Sequence, residues 1–359
     1  MEFSLFYFAD YGAAPEDRYR LLLESARFAD AHGFSAVWTP ERHFHEFGGQ
    51  YPNPAVVGAA LAAVTERIAI RAGSVVAPLH HPVRITEEWS VVDNLSRGRA
   101  GISLASGWHA VDFVLRPESY RERKEVLVRT VETVRRLWSG AEVAFTDGVG
   151  GESAVRIYPA PVQPELPIWL TSSGSAETFR TAGRLGTGVL THLLGQEVTD
   201  LERNIAAYRE ELSAAHGPSA RGHVALMLHS LIGTDREQVR EVVRGPLSDY
   251  LRSSIGLVTK NAAATHGGVD LDSLSSRDRE FLVTRAFDRY FETGGLFGTV
   301  EDGVKTVRRL RAAGVDEVAC LIDFGVPEDR VLDGLHHLDA LRVRCAAGAA
   351  DPAGPDRRS

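Results

Sequence analysis

The sequence predicts an α/β fold, a (β/α)8 TIM barrel formed by a single chain of 359 residues. Three observations carry that expectation. Eight short apolar segments are spread along the chain, nearly all of them separated by stretches with helical spacing, and no GxGxxG turn follows the first. Strands alternating with helices pair in parallel, and eight such units can close on themselves. The rival, an open doubly wound sheet, usually opens on that glycine-rich turn.

In chain order, the first strand is expected at Phe3–Phe8. Pro15 to His32 follows as a helix, because Tyr19, Leu22, Leu23, Ala26 and Ala29 recur on one face and Gly33 offers a stop. Ala36–Thr39 is the second strand and Pro54–Thr65 a helix; Ile68–Val76 and Gly101–Ala105 are strands three and four. Arg121–Leu137 reads as a long helix with Val126, Leu127, Val131, Val134 and Leu137 inward. Strands five to eight fall at Pro167–Thr171, Gly188–Thr191, Val224–Ile232 and Glu317–Ile322, with the last helices at Val300–Ala313 and Pro327–Arg342.

Two stretches break the rhythm and are read as insertions after strands four and seven. Ala141–Pro164 contains Asp147-Gly148-Val149-Gly150-Gly151, and Gly256–Arg279 is polar with Gly267-Gly268 and Ser273–Ser276. Loops of that length in a compact domain are usually lids or disordered. A single domain is expected over residues 1–345, and the Ala/Gly/Pro/Asp/Arg-rich tail, 346–359, is expected to be unfolded.

Charge and composition narrow the function classes. The formal charge of −8 is spread along the chain, without the basic face that nucleic acid requires or the polybasic run that suits a membrane surface. The longest apolar stretch, near Pro54 to Val64, is far below the ~20 residues of a bilayer span. Met1-Glu2-Phe3-Ser4 lacks the basic region of a signal peptide, and Cys320 and Cys345 stand isolated. A cytoplasmic protein is expected.

Active sites of such barrels gather where strands end. After strand two, Glu41, Arg42, His43, His45 and Glu46 crowd beside Phe44 and Phe47; a salt-bridged rim would use the same residues, but this density of titratable groups beside aromatics favours a site. After strand three, Ala72, Gly73 and Ser74 are small enough to let a flat ring approach the backbone. His80 reads as a cap or core residue, and His81, before Pro82, is biased to extended backbone. After strand four, Ser106 and Gly107 leave room beside Trp108 and His109. After strand five, Thr171, Ser172, Ser173, Gly174 and Ser175 run into a helix, whose free N–H groups make a phosphate cradle. Plain capping needs only one of those hydroxyls.

Together these segments resemble the bacterial luciferase-like family of flavin monooxygenases, over nearly the whole chain to about Arg342. The resemblance lies in Glu41-Arg42-His43-Phe44-His45-Glu46-Phe47-Gly48, in His81-Pro82-Val83-Arg84 with Ser96-Arg97-Gly98-Arg99, and in Ala105-Ser106-Gly107-Trp108-His109 with Asp112-Phe113. The last segment is similar to the mupirocin-pathway type, which is tied to natural-product assembly. The resemblance implies FMN as cofactor, a non-prolyl cis peptide at Gly73–Ser74 under the flavin ring, and phosphate binding by Ser172 and Ser175 with the amides around Gly174. It also implies a basic partner for the phosphate at Arg123, and a ring or phosphate contact at Ser106. Reduced FMN would come from a separate flavin reductase, and a homodimer is the default assembly. The implied substrate is a small molecule or an intermediate tethered to a carrier protein.

Two departures from the family pattern matter. Arg42 stands where luciferase has the first histidine of a pair, and Ser106 stands where luciferase has an arginine that contacts phosphate. His43 and His109 are then the candidates for proton handling, with Arg42 and Glu41 orienting what reacts. No metal is expected. The competing functions are a deazaflavin-dependent oxidoreductase, a non-catalytic flavin-binding protein, and a metal-dependent amidohydrolase using His43, His45, His192 and Asp323.

Overall fold

The computed structural model describes residues 1–8, 18–46, 48–266 and 276–347, with backbone alone for 253–266, 276–280 and 282. The chain opens with β1 (Glu2–Phe6), β2 (Ala36–Thr39), β3 (Ala69–Val76) and β4 (Ala100–Ala105). A hairpin follows, β5 (Val143–Thr146) with β6 (Glu152–Val155), and then β7 (Ile168–Ser172), β8 (Gly188–His192), β9 (Val224–Ile232), β10 (Leu296–Gly298) and β11 (Glu317–Leu321). The strands β1-β2-β3-β4-β7-β8-β9-β11 pair in parallel in that order, and β11 returns to β1, so eight strands close a barrel. All eight expected strands are in it. The short β10 adds itself in parallel to the end of β9, from Ser230 to Ile232.

Strands covered by helices outside and by packed side chains inside are buried on both faces, so they read as continuous apolar runs. β9 is the extreme case: all nine of its residues are buried. The surrounding helices are α1 (Arg20–His32), α2 (Pro54–Val64), α3 (Pro82–Ser96), α4 (Arg123–Trp138), α5 (Ala176–Leu185), α6 (Val198–His216), α7 (Arg236–His266), α8 (Ser276–Arg289), α9 (Val300–Ala312) and α10 (Glu328–Ala347). Local chemistry sets their ends. The Asn53 carboxamide accepts the Ala55 and Val56 amides at the start of α2, and Gly33, at φ 78°, closes α1. His81 is extended, as its proline neighbour requires, and its Nδ1 accepts the Val83 amide at the start of α3.

Three expectations need correction. The first helix begins at Arg20 rather than Pro15, and residues 9–17 lie outside the described residues. Much of the polar stretch Gly256–Arg279, expected as a long loop, has helical backbone: α7 runs on to His266 and α8 starts at Ser276, with 267–275 outside the described residues. Polarity misled here because a helix with one wet face needs few apolar residues. Ala346 and Ala347, expected in the tail, end α10, and 348–359 lie outside the described residues. The stretch Ala141–Pro164 is an insertion as expected, built around the antiparallel β5–β6 pair. No helix among the described residues is long and apolar enough to cross a membrane.

The N-terminal end of the barrel is plugged by a buried ion pair. Arg71 Nη1 donates to Glu317 Oε2 at 2.7 Å, and its guanidinium lies 5.0 Å from the Trp38 ring and 4.6 Å from the Trp169 ring. Glu317 Oε1 also accepts from Trp38 Nε1 at 2.8 Å and from the Ser4 hydroxyl. Trp169 fits because its neighbour is glycine: a Cβ on Gly188 would come within 2.2 Å of the indole.

Candidate active site

At the opposite end of the barrel, β2 runs into Thr39-Pro40-Glu41-Arg42-His43. Glu41 is the centre of this loop. Its Oε1 accepts from His43 Nε2 at 2.8 Å and from His80 Nε2 at 2.5 Å, while Oε2 accepts the Val76 amide at 2.7 Å. Burial alone would raise the Glu41 pKa, but the hydrogen bonds from His43 and His80 outweigh it and hold the carboxyl below its usual value. For His80, burial pulls downward and the Glu41 carboxylate pulls upward harder, so its pKa rises. With Glu41 ionised, each Nε2 carries the shared hydrogen. Phe44, next along, is 58% exposed and sits at φ 54°, left-handed backbone that a bulky residue rarely adopts.

Arg42 is buried at 4% exposure, yet its Nε and Nη2 have no hydrogen-bond partner among the described residues. Its guanidinium lies 5.2 Å from the Trp108 ring and 5.9 Å from the Phe8 ring. Burial lowers its pKa, and Asp112 partly offsets that. Asp112 itself is bonded to His109 Nδ1 at 3.1 Å. From Phe8 the aromatic lining continues to Tyr250 at 6.3 Å, then to His229 at 4.2 Å, which also packs against Phe324 at 5.2 Å and Tyr290 at 6.2 Å. His229 Nε2, Tyr290 OH and Thr39 Oγ1 are also buried without partners. Burial pushes His229 down to about 3, with His192 adding to it, and pushes His192 down to about 4.

Between these groups lies a wall of hydroxyls. Thr171 Oγ1 is 2.5 Å from Ser74 Oγ and 2.6 Å from Ser103 Oγ, beside Gly73, where a Cβ would meet the Phe6 ring at 2.7 Å. The Gly73–Ser74 peptide is cis, as the family resemblance implies, and the β3–β4 register shifts at that point. One strand on, Ser172 to Ser175 turn into α5. The Ser172 hydroxyl is buried and accepts the Gly174 and Ser175 amides at 3.3 and 3.1 Å; Ser175 caps α5 through the Thr178 amide. Gly174 holds φ +100°, and its carbonyl accepts from Asn204. The amides of Ser173, Ala176 and Glu177 are without partners among the described residues, and the Glu177 carboxylate is drawn away by Arg184 at 2.6 Å. A hydroxyl-lined flat wall leading to free amides at a helix N-terminus suits a planar cofactor with a phosphate tail. The residues fit.

The structure thus brings Glu41, Arg42, His43, Ser74, His109, Thr171 and the 172–175 turn to one end of the barrel. Ser106 follows β4 there, half-buried. Two expectations fail. Ala72 alternates with Arg71 and Gly73, which face the barrel interior, so it points to the helix layer rather than to a ring. Arg123 folds over the Tyr120 ring at 4.8 Å and donates to the Tyr120 carbonyl at 3.0 Å, held by its own helix start rather than by the cradle. Sequence reasoning missed His80, whose tie to Glu41 spans 39 residues, and the group His229, Tyr250, Tyr290 and Phe324. A histidine inside an apolar strand such as β9 was the one available signal. Two groups among the described residues have metal-ligand geometry, Glu41 with His43 and His80, and Glu2 with His223 and Glu317. The set His43, His45, His192 and Asp323 is not gathered into such a group.

A family profile described as luciferase-like monooxygenase matches residues 1–317. The chain is 36% identical to the alkanal monooxygenase alpha chain of Photorhabdus luminescens over 325 residues, covering 88% of each. It is 24% identical over 341 residues to the oxygenase component of a flavin-dependent trigonelline monooxygenase from Acinetobacter baylyi, covering 92% of this chain and 91% of that one. Among solved structures, the oxygenating constituent of 3,6-diketocamphane monooxygenase from Pseudomonas putida, in complex with FMN, superposes with a TM-score of 0.73 at 16% identity, covering 94% and 96% of the two chains. An F420-dependent secondary alcohol dehydrogenase superposes with a TM-score of 0.71 at 18% identity, covering 96% and 99%. At these identities the two structures speak for the fold alone.

Proposed function

Because this chain belongs to the luciferase-like monooxygenase family, we propose that it binds reduced FMN delivered by a separate flavin reductase and, with dioxygen, oxygenates an organic substrate. The observation that carries a flavin with a phosphate tail is the continuity between the Ser74–Thr171–Ser103 wall and the free amides at the start of α5, and similarity to a flavin-dependent monooxygenase favours FMN among such cofactors. FMN supplies the activation of dioxygen when bound. Gly73 and Ser74, with Thr171, would seat the ring, and Ser106 would flank it. The amides of Ser173, Ala176 and Glu177 and the hydroxyls of Ser173 and Ser175 would hold the phosphate. Ser172, expected on the phosphate, instead accepts the Gly174 and Ser175 amides, and with Gly174 it shapes that turn from behind. Ala72 and Arg123 are left out of the set.

Around the ring, Glu41 anchors the His43 and His80 imidazoles by Nε2, which leaves His43 Nδ1 to take or give a proton. Asp112 holds His109 by Nδ1 and leaves Nε2 for the same task. Phe8 and Trp108 limit water at the mouth, and Arg42 orients what reacts. The substrate is an intermediate of natural-product assembly, small or carried on a carrier protein, and the enzyme works in the cytoplasm as a homodimer built from a single domain that includes all of α10, to Ala347.

The test is the chromophore. The protein is incubated with FMN, F420 or zinc, washed, and melted; FMN should be retained and raise the melting temperature most. Stabilisation by F420 or zinc alone sinks the FMN reading. Reduced FMN added anaerobically and then exposed to air should drive oxygen uptake, and no uptake sinks the oxygenase reading.

A further inference from the structure

We infer that the substrate carries a carboxylate or a comparable anion and that the side edge of the Arg42 guanidinium receives it. This rests on the placement of substrate at the flavin site proposed above. Arg42 is almost fully buried, and the two nitrogens without partners, Nε and Nη2, lie on the same edge of the guanidinium. That edge offers two parallel N–H groups, the fork that matches a carboxylate bidentately. A buried cation with empty donors is costly, and an anionic acceptor that arrives from outside removes that cost.

Among the described residues, the acids near this end have hydrogen-bond partners other than Arg42, although the Asp112 charge acts on it. Asp112 is bonded to His109, and Glu41 accepts from His43, His80 and the Val76 amide. Asp323 accepts the Phe8 amide at 2.6 Å and the Tyr51 hydroxyl at 3.4 Å.

The surroundings of Arg42 describe the rest of the substrate. Phe8 and Trp108 flank the guanidinium, and the aromatic lining passes through Tyr250 to His229, Phe324 and Tyr290. At that far end two neutral polar atoms, His229 Nε2 and Tyr290 OH, are unpaired. A cation at one end, apolar walls between, and neutral hydrogen-bonding atoms at the other suit an apolar acid with a polar substituent away from its carboxylate.

The experiment uses the FMN-loaded protein and two probes of equal shape, benzoate and benzamide, titrated by calorimetry into wild type, R42Q and R42K. Benzoate should bind wild type at least tenfold tighter than benzamide. R42Q should bring the two within twofold of each other, and R42K should keep part of the preference. Absent benzoate binding, equal affinities in wild type, or a preference that survives R42Q overturns the inference. So does an FMN affinity that falls in R42Q as far as benzoate affinity does, since the guanidinium would then serve the cofactor. If wild type does not bind FMN, the flavin reading fails by itself, and the same titration of flavin-free protein still decides the role of Arg42.

Discussion

The two ends of this barrel treat buried polar groups in opposite ways. At the N-terminal end the chain satisfies its own charges: Arg71, Ser4 and Trp38 all donate to Glu317, and Trp169 donates to His223 at 2.9 Å. Among the described residues, one buried side-chain atom there lacks a hydrogen bond, His223 Nε2, and it stands 3.5 Å from Glu317 Oε2. At the C-terminal end Thr39, Arg42, His229 and Tyr290 all keep buried donors or acceptors without partners among the described residues. Native interiors pair nearly all such groups. The difference separates polar residues paired within the barrel from polar residues left open at the end where barrels of this kind place their active sites.

The comparison breaks most visibly at Arg71. Arg71→Leu leaves Glu317, fully buried, without its cation, and should cost about 3–5 kcal/mol in denaturant unfolding. FMN affinity of the protein that remains folded should not change. A loss below about 1 kcal/mol would mean that the plug is not what stabilises this end.

His229→Phe is the opposite case, since it removes a buried imidazole that has an unpaired Nε2. It should be tolerated within about 1 kcal/mol at neutral pH. In the wild type, burial holds the folded His229 near 3, whereas the unfolded chain protonates near the ordinary value of 6.5. Between those values the unfolded state binds the extra proton, so stability falls as pH falls, by about 1.4 kcal/mol per unit from this residue. The variant should lose that slope; an unchanged dependence from pH 6.5 to 4 would show that His229 is not held neutral.

The smallest effect expected is a titration. His80 should show an NMR midpoint above 6.5, because Glu41 raises it. The pair contributes most at pH values above the unfolded Glu41 value and below the unfolded His80 value. Its contribution fades as pH rises through the raised His80 pKa, and again as pH falls through that of Glu41. In Glu41→Gln the His80 midpoint should drop, since burial and Arg116 then face only the smaller pull of Glu88. A midpoint that stays put would detach His80 from Glu41.

Much of the fold was legible because its signals are local. Runs such as Val224–Ile232, short and mostly apolar, suit strands buried on both faces, and Gly33 or the Ser172–Ser175 turn announce the ends and starts of helices. The stretch Gly256–Arg279 was misread for the same reason inverted, since a polar helix resembles a loop when only composition is weighed. At the site, the Glu41-Arg42-His43 cluster stood out by the density of its groups. The direction of Ala72 was missed because small size says nothing about which face of a strand a residue occupies. Arg123 was misplaced because a long side chain at a helix start has several partners within reach.

By itself the sequence determined the number and order of strands and helices, the glycines and serines at the strand ends, and which loops carry titratable groups, because each of these follows from short-range sterics and from apolar periodicity. Only the tertiary structure decided that Glu41 holds His80 as well as His43, that Ser172 turns inward, and that Arg42 is buried with one edge empty beside the His229 enclosure. Those facts depend on barrel closure, which sets side chains from distant strands against one another and removes the water that would otherwise have satisfied them.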